Sequence, residues 1–129
     1  MSGKKILIID DDKAIPAALR ALLSGSGHQI VSALDAMQGL MMARQTRPDL
    51  VVLDINMPAG GGLSVYERLR ALSGTSHIPI LIYTAVPLET LRAKIPDSSD
   101  IAFLAKPASL SALKEAIARF LPDSPPVPT

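Results

Sequence analysis

The sequence contains no cysteine among its 129 residues. Disulfide bonds, thiolate chemistry and cysteine-ligated zinc are therefore all excluded. The chain also lacks a strong excess of either charge, because 13 basic and 12 acidic side chains leave a formal net charge of +1. A surface that neutralises several nucleic-acid phosphates needs more cations, so we expect no nucleic-acid binding by this chain alone.

Long apolar runs are missing near the amino terminus as well. The run Ile6–Ile9 passes directly into three aspartates, whereas signal peptides and membrane spans need far longer apolar segments. We therefore expect no membrane insertion and a cytoplasmic location.

The length and the composition fit one domain followed by a short tail. A chain of 129 residues with 48% apolar residues can bury a substantial core. Residues 122–129 carry four prolines in eight positions, which is typical of a semi-extended tail or the start of a linker. We expect one domain over residues 1–121 and a proline-rich tail or linker over residues 122–129.

Strand patterns alternate with helical patterns five times along the chain. Continuous apolar stretches predict buried strands, and apolar residues at period 3.6 predict helices. The expected strands are Lys5–Ile9, Gln29–Ala33, Leu50–Leu53, Ile80–Tyr83 and Ile101–Ala105, and the expected helices are Lys13–Ser24, Ala36–Gln45, Leu63–Leu72, Leu88–Lys94 and one along Leu110, Leu113, Ile117 and Leu121. This alternation predicts a single-domain α/β fold with a doubly wound, five-stranded parallel sheet and five helices.

Two of the helices carry further expectations. Pro87 and Pro96 bracket the fourth helix, and proline removes a helical hydrogen bond and disfavours helical geometry at the residue before it, so this helix should be short. In the second helix, we expect Met37, Met41 and Met42 to fill the core and the helix face rather than form a binding surface.

Four of the apolar strands end in polar residues. The residues are Asp10 to Asp12, Asp54, Thr84 and Lys106. Because the carboxyl ends of parallel strands meet at one edge of a sheet, where ligands bind, these side chains should converge. Carboxylates, a hydroxyl and an ammonium together suit the binding of a hard cation and a phosphoryl group.

Each of these residues also has a purely structural interpretation when it is taken singly. Asp11 or Asp12 could cap the first helix, since aspartate is a favoured N-cap residue. Thr84 could be an ordinary β-branched strand residue, and Lys106 could be a solvated lysine in a turn. Their joint placement favours the functional interpretation, in which Asp12 takes the cap and the two preceding aspartates remain for a metal ion.

These motifs identify a family. The chain resembles the receiver domains of two-component response regulators over about residues 4–121, through the pair Asp10-Asp11, the run Asp54-Ile55-Asn56-Met57-Pro58 with Gly62 closing the loop, Thr84-Ala85 and Lys106-Pro107. The resemblance implies a flavodoxin-like sheet with the strand order 2-1-3-4-5.

The resemblance also implies an acceptor and a metal site. Asp54 would accept a phosphoryl group from a histidine kinase or a histidine phosphotransfer protein, forming an aspartyl phosphate. Asp10, Asp11 and Asp54, with the main-chain carbonyl of Asn56, would hold Mg²⁺, which favours oxygen ligands and keeps several waters.

The remaining implied roles concern the phosphoryl group and the response to it. Lys106, the Thr84 hydroxyl and the Ala85 main-chain N–H would bind the phosphoryl oxygens, and the Lys106-Pro107 bond would be cis. Thr84 and Phe103 would form the switch that alters binding of an output protein, whose identity the sequence does not indicate. The domain would catalyse only its own phosphorylation and dephosphorylation and would not be an enzyme in the usual sense.

Two other functions remain open from the residues alone. A phosphatase with an aspartate nucleophile also uses an aspartyl phosphate and Mg²⁺, but such enzymes carry a DxDxT pattern after the first strand, where this chain has Asp10-Asp11-Asp12. A receiver-like scaffold that binds a partner without phosphorylation is the other alternative.

Overall fold

Strands and helices alternate throughout the computed structural model, which describes residues 3–58 and 61–121. The strands are β1 (Lys5–Ile9), β2 (Gln29–Ala33), β3 (Leu50–Leu53), β4 (Ile80–Thr84) and β5 (Ile101–Ala105), and the helices are α1 (Ala14–Leu22), α2 (Ala36–Thr46), α3 (Gly61–Ala71), α4 (Leu88–Arg92) and α5 (Leu110–Phe120). The proline-rich tail expected at residues 122–129 lies outside the described residues. In the part of the chain that is described, no helix has the length and apolar character needed to span a membrane.

The five strands form one parallel sheet in the order β2-β1-β3-β4-β5. The expected fold and strand order are therefore confirmed. The register pairs Ile9 with both Ala33 and Leu53, and it pairs Thr84 with Ala105. As a result, the residues that follow β1 and β3 lie side by side, and the ends of β4 and β5 lie together further along the same edge.

The central strands are buried on both faces, as their continuous apolar runs predict. Side chains alternate along β1, so that Leu7 and Ile9 pack against α2 and α3 on one face, while Ile6 and Ile8 pack against α1 and α5 on the other. Full burial of each such side chain contributes about 1.5–3 kcal/mol. The sheet therefore provides a firm support for the polar residues at its edge.

The start of α1 differs from the expectation. Lys13 is the N-cap residue and makes no side-chain capping bond, whereas Asp12 was expected to be the cap. Asp12 lies one residue earlier, and its Oδ1 accepts a hydrogen bond from the Ala14 N–H at 3.0 Å. Asp12 thus still satisfies one of the free N–H groups at the start of the helix, although from outside it.

Helix α4 is short, as the two prolines predict. It spans five residues and ends two residues before the expected Lys94. After it, the chain makes a turn in which the N–H groups of Lys94 and Ile95 both bond to the Leu91 carbonyl, at 2.9 and 2.8 Å. Pro96 follows directly and disfavours helical geometry at Ile95, so the helix does not continue.

The expectation that the methionines of α2 fill the core was wrong for two of the three. Met42 packs against the core, but Met37 is 81% exposed and Met41 is 50% exposed. The cause lies on the opposite side of the helix, where Gly39 faces the sheet so closely that a Cβ there would lie 2.7 Å from Ile9 Cγ2. With a glycine inward, α2 lies close to the sheet and the long side chains point outward.

Gly62 allows α3 to approach the loop that follows β3. A Cβ at this position would lie 2.3 Å from the Ile55 Cα and 2.4 Å from the Asp54 carbonyl oxygen. Because both contacts are with backbone atoms, a side chain could be accommodated only if the loop itself moved. Glycine is therefore required here for close packing of two backbone segments.

We predict that Gly62→Ala lowers the free energy of unfolding by about 1–3 kcal/mol, the usual cost of overpacking a tight site. Gly25→Ala is the matched control, because a Cβ at Gly25 meets nothing within 4 Å, and it should change stability by no more than about 0.5 kcal/mol. Urea unfolding of both variants measures the difference. Equal stabilities would show that the backbone at Asp54 and Ile55 can shift to admit the methyl group without loss of free energy of unfolding.

Candidate functional site

Two buried carboxylates lie next to each other at the carboxyl ends of β1 and β3. Asp10 follows Ile9 and Asp54 follows Leu53, and these two strand residues are paired in the sheet. The Asp54 N–H donates to the Ile9 carbonyl at 3.0 Å, so the backbone at Asp54 is still held by the neighbouring strand. Asp10 is only 3% exposed and Asp54 only 6%, and burying a carboxylate is costly unless a partner compensates it.

Lys106 is that partner for both acids. Its Nζ lies 2.7 Å from Asp10 Oδ2 and 3.3 Å from Asp54 Oδ2. The Lys106 N–H donates to the Thr84 carbonyl at 2.9 Å, which fixes the start of this side chain at the end of β5. Charge-assisted hydrogen bonds of this kind are among the stronger ones in proteins. The lysine therefore joins the first, third and fifth strands at one site.

The second oxygen of Asp54 is held by a hydroxyl and a main-chain amide. Thr84 is fully buried, and its Oγ1 donates to Asp54 Oδ1 at 2.7 Å. The Asn56 N–H donates to the same oxygen at 2.9 Å, and the Val86 N–H donates to Thr84 Oγ1 at 3.3 Å. Both carboxylate oxygens of Asp54 are thus held in defined positions.

Three acids form a group that could hold a metal ion. Asp10, Asp11 and Asp54 each offer a carboxylate oxygen, and these atoms all lie within 4.8 Å of one another. Asp11 is exposed, so one side of the group faces solvent. Hard oxygen donors with open coordination positions fit Mg²⁺ well and zinc or copper poorly. Asn56, the fourth expected ligand residue, is exposed beside Asp54.

The electrostatics of the site leave a surplus of negative charge. Burial raises the pKa of Asp10, the hydrogen bonds from Lys106 and the Asp12 N–H offset only part of this, and the charge of Asp54 raises it further. Burial also tends to lower the pKa of Lys106, but the bond to Asp10 and the charges of both carboxylates outweigh it and raise that pKa. The lysine therefore stays charged, and the acids are incompletely neutralised.

The other expected site residues lie at the margin of this cluster or outside it. Ala85 is exposed directly after Thr84. Phe103 lies outside the polar cluster, where it packs against the core on the α4 side, with the Arg92 guanidinium 5.6 Å from its ring centroid. The Lys106-Pro107 peptide bond is cis, as expected.

Tyr83 is a part of the site that the sequence patterns did not indicate. The Lys106 Nζ lies 5.4 Å from the centroid of its ring, a cation–π contact, and its hydroxyl accepts from the Ala108 N–H at 3.4 Å. Tyr83 precedes Thr84 and therefore points to the opposite face of the sheet. Strand alternation could have placed it on the α5 side, but not beneath the lysine.

Comparison with known proteins gives one family over most of the chain. Residues 6–118 match the family model of the response regulator receiver domain. The polar-differentiation response regulator DivK of Brucella anthropi is 29% identical over 121 residues, which cover 94% of this chain and 98% of that protein. The transcriptional regulatory protein PrrA of Mycobacterium leprae is 39% identical over 85 residues, covering 66% of this chain and 36% of that protein.

Solved structures agree with this result. The chemotaxis response regulator CheY4 of Vibrio cholerae has a TM-score of 0.79 at 26% identity, covering 92% of this chain and 99% of that one. The receiver domain of the sensor histidine kinase PA1611 from Pseudomonas aeruginosa has a TM-score of 0.77 at 25% identity, covering 93% and 98%. That structure holds a magnesium ion coordinated in its active site cleft.

We predict that Asp10→Asn stabilises the fold at neutral pH. The pKa of Asp10 is raised on folding, so its contribution to stability is full below the unfolded value of 3.8 and is lost as the pH rises through the folded value. Asparagine has the same shape without the charge, and it can still accept a bond from Lys106.

Urea unfolding of the metal-free protein at several pH values measures this effect. The variant should gain stability over the wild type at pH 7, and the gain should shrink toward zero as the pH falls below 3.8. A variant that is less stable than the wild type at pH 7 would show instead that the ion pair with Lys106 outweighs the burial of the carboxylate.

Proposed function

The chain belongs to the family of response regulator receiver domains, and we propose that it accepts a phosphoryl group on Asp54 from a phosphohistidine of a histidine kinase or of a histidine phosphotransfer protein. The observation that carries this proposal is the setting of Asp54, a carboxylate in contact with the Lys106 ammonium and the Thr84 hydroxyl. It is the acid of the group that contacts both a cation and a hydroxyl donor.

The transfer forms one bond and breaks another. An Asp54 oxygen attacks the phosphorus, the bond from phosphorus to the histidine nitrogen breaks, and that nitrogen leaves with the electron pair. Phosphoryl transfer depends mainly on positioning and on stabilisation of charge. Lys106, 3.3 Å from the acceptor, pairs with the phosphoryl oxygens, and the Thr84 hydroxyl moves its hydrogen bond from Asp54 to the same group, with the Ala85 N–H beside it.

The metal site supports the same reaction. Asp10, Asp11, Asp54 and the Asn56 carbonyl would hold Mg²⁺, which when bound supplies positive charge against the negative phosphoryl oxygens. The three acids of this site carry more negative charge than Lys106 neutralises, and such a surplus favours a divalent cation.

The response to phosphorylation begins at Thr84 and ends at the α4 surface. When the Thr84 hydroxyl leaves Asp54 for the phosphoryl group, the end of β4 adjusts, and Phe103 on the adjacent strand β5 is free to change its packing. Arg92 lies over the Phe103 ring, so movement of the ring alters the exposed side of α4. An output protein that binds this side would detect the change.

We predict that the protein incubated with acetyl phosphate and Mg²⁺ gains one phosphoryl group and that Asp54→Asn gains none. Asp12→Asn, a change at an exposed neighbouring acid outside the metal group, serves as the control and should label like the wild type. Intact-protein mass spectrometry measures both. Labelling of the Asp54 variant would refute the acceptor, and steady turnover of a phosphomonoester would favour the phosphatase alternative.

We also predict that Asp11→Ala weakens Mg²⁺ binding at least about tenfold, because even residues that only orient a metal ligand contribute 10- to 100-fold to affinity. Asp12→Ala is the matched control, since it removes another exposed carboxylate, one that accepts a hydrogen bond from the Ala14 N–H. NMR titration with Mg²⁺ measures both affinities. If the two variants lose affinity equally, Asp11 acts through general charge and not as a ligand.

A further inference from the structure

A second concave surface lies away from the phosphorylation site, between α2 and the turn that follows α3. It has a volume of about 760 Å³, and we call it the α2 groove, defined by Met37, Met41, Arg44, Arg47, Leu72 and Gly74. None of these residues belongs to the cluster of Asp10, Asp54 and Lys106. The groove is therefore not explained by phosphoryl transfer.

The apolar part of the α2 groove is open to solvent. Met37 and Met41 are the exposed methionines of α2, and Leu72 beyond the end of α3 is 36% exposed. Met37, Met41 and Arg44 are spaced i, i+4 and i+7, so they form one stripe over two turns of the helix. Exposed methionines adapt to different partner shapes and are common at binding surfaces.

The charged part of the α2 groove is entirely basic. Arg44 and Arg47 are both exposed, and none of the described residues that line the groove is a carboxylate. Within residues 3–58 and 61–121, neither guanidinium forms a salt bridge. Arg44 in the last turn of α2 also complements the helix dipole, but this role leaves its charge open to solvent and to a partner.

Arg47 occupies a backbone position that usually favours glycine. It is the C-cap of α2 with φ 46° and ψ 66°, in the left-handed region, and Pro48 after it disfavours continuation of the helix. Its Nη2 lies 4.0 Å from where a Cβ on Gly74 would be. The guanidinium thus reaches the turn after α3 and forms the basic end of the groove.

We propose that the α2 groove is a docking surface for an amphipathic helix of a partner protein that presents an apolar stripe and one or more carboxylates near the basic end. Helices that dock in grooves present apolar anchors at i, i+3 or i+4 and i+7, a span of two helical turns like that of the stripe formed by Met37, Met41 and Arg44 on α2. The charge of the groove selects an acidic partner over a basic one.

Other occupants fit the groove less well. A second copy of this chain docked by a two-fold axis through the middle of the groove would lay the basic end of one copy over the methionines of the other, so neither arginine would meet a carboxylate there. Nucleic acid needs more cations than two arginines supply. The groove shares no residue with the phosphorylation site, so its test is independent of Asp54.

The test uses a displayed library of helix-stabilised peptides selected against the wild-type chain. Selected peptides should carry an apolar stripe and a net negative charge, and on binding they should shift the methyl NMR signals of Met37 and Met41. Arg44→Glu should weaken them at least about tenfold, because it places like charges together. Arg20→Glu, at an exposed arginine in the last turn of α1, is the matched control and should not.

Arg47→Gly separates binding from folding. Glycine adopts a positive φ without steric cost, so the urea midpoint should not fall, whereas peptide affinity should drop severalfold with loss of the guanidinium. The proposal is overturned if the library gives no binder, if selected peptides are basic or leave the two methionine signals unmoved, or if Arg47→Gly binds normally. Self-association of the wild type that Met37→Glu abolishes would identify a second copy as the occupant and also overturn it.

Discussion

The structure of the site depends on the ion pairs that Lys106 makes with Asp10 and Asp54. Each of these charges is largely removed from water, at a cost of several kcal/mol that only close opposite charge offsets. The contact requires the ends of three strands at one place, and the sheet register supplies this by pairing Ile9 with Leu53 and by bonding the Lys106 N–H to the Thr84 carbonyl. Removal of Lys106 would leave both buried carboxylates without their cation, whereas removal of Asp10 would leave one ammonium paired with one carboxylate.

The charges of the site do not balance, and the excess of negative charge suits the binding of a cation. One ammonium faces two buried carboxylates, with a third acid at the edge of the group. Burial still raises the pKa of Asp10 in spite of its ion pair, so the ionised carboxylate is unfavourable in the folded protein. A bound cation would offset this cost. Proteins commonly give up stability in this way where a site must bind charge.

Much of the fold and the candidate site was predictable because buried parallel strands have a simple sequence pattern. The bounds of Leu50–Leu53 and Ile101–Ala105 follow from apolar runs between turn residues, and those of Gln29–Ala33 follow from a weaker, amphipathic pattern suited to an edge strand. The polar residue after each central strand marks the edge where the site forms. The position of Tyr83 under Lys106 and the outward direction of Met37 were not predictable in this way. Both depend on contacts between side chains of different elements. Such contacts are a property of tertiary structure, and sequence periodicity does not predict them.

One packing contact determines both the site's support and the second surface. Gly39 on α2 lies against Ile9, whose neighbour is Asp10, and the absence of a side chain lets the helix approach the sheet there. The fully buried residues of α2 are consequently the small Gly39 and Ala43, while Leu40 and Met42 pack against the core and are only partly buried. The larger side chains at Met37 and Met41 cannot also reach the sheet, because α2 presents its glycine side to β1. Close approach at the site's edge and an exposed apolar stripe are thus two results of the same helix geometry.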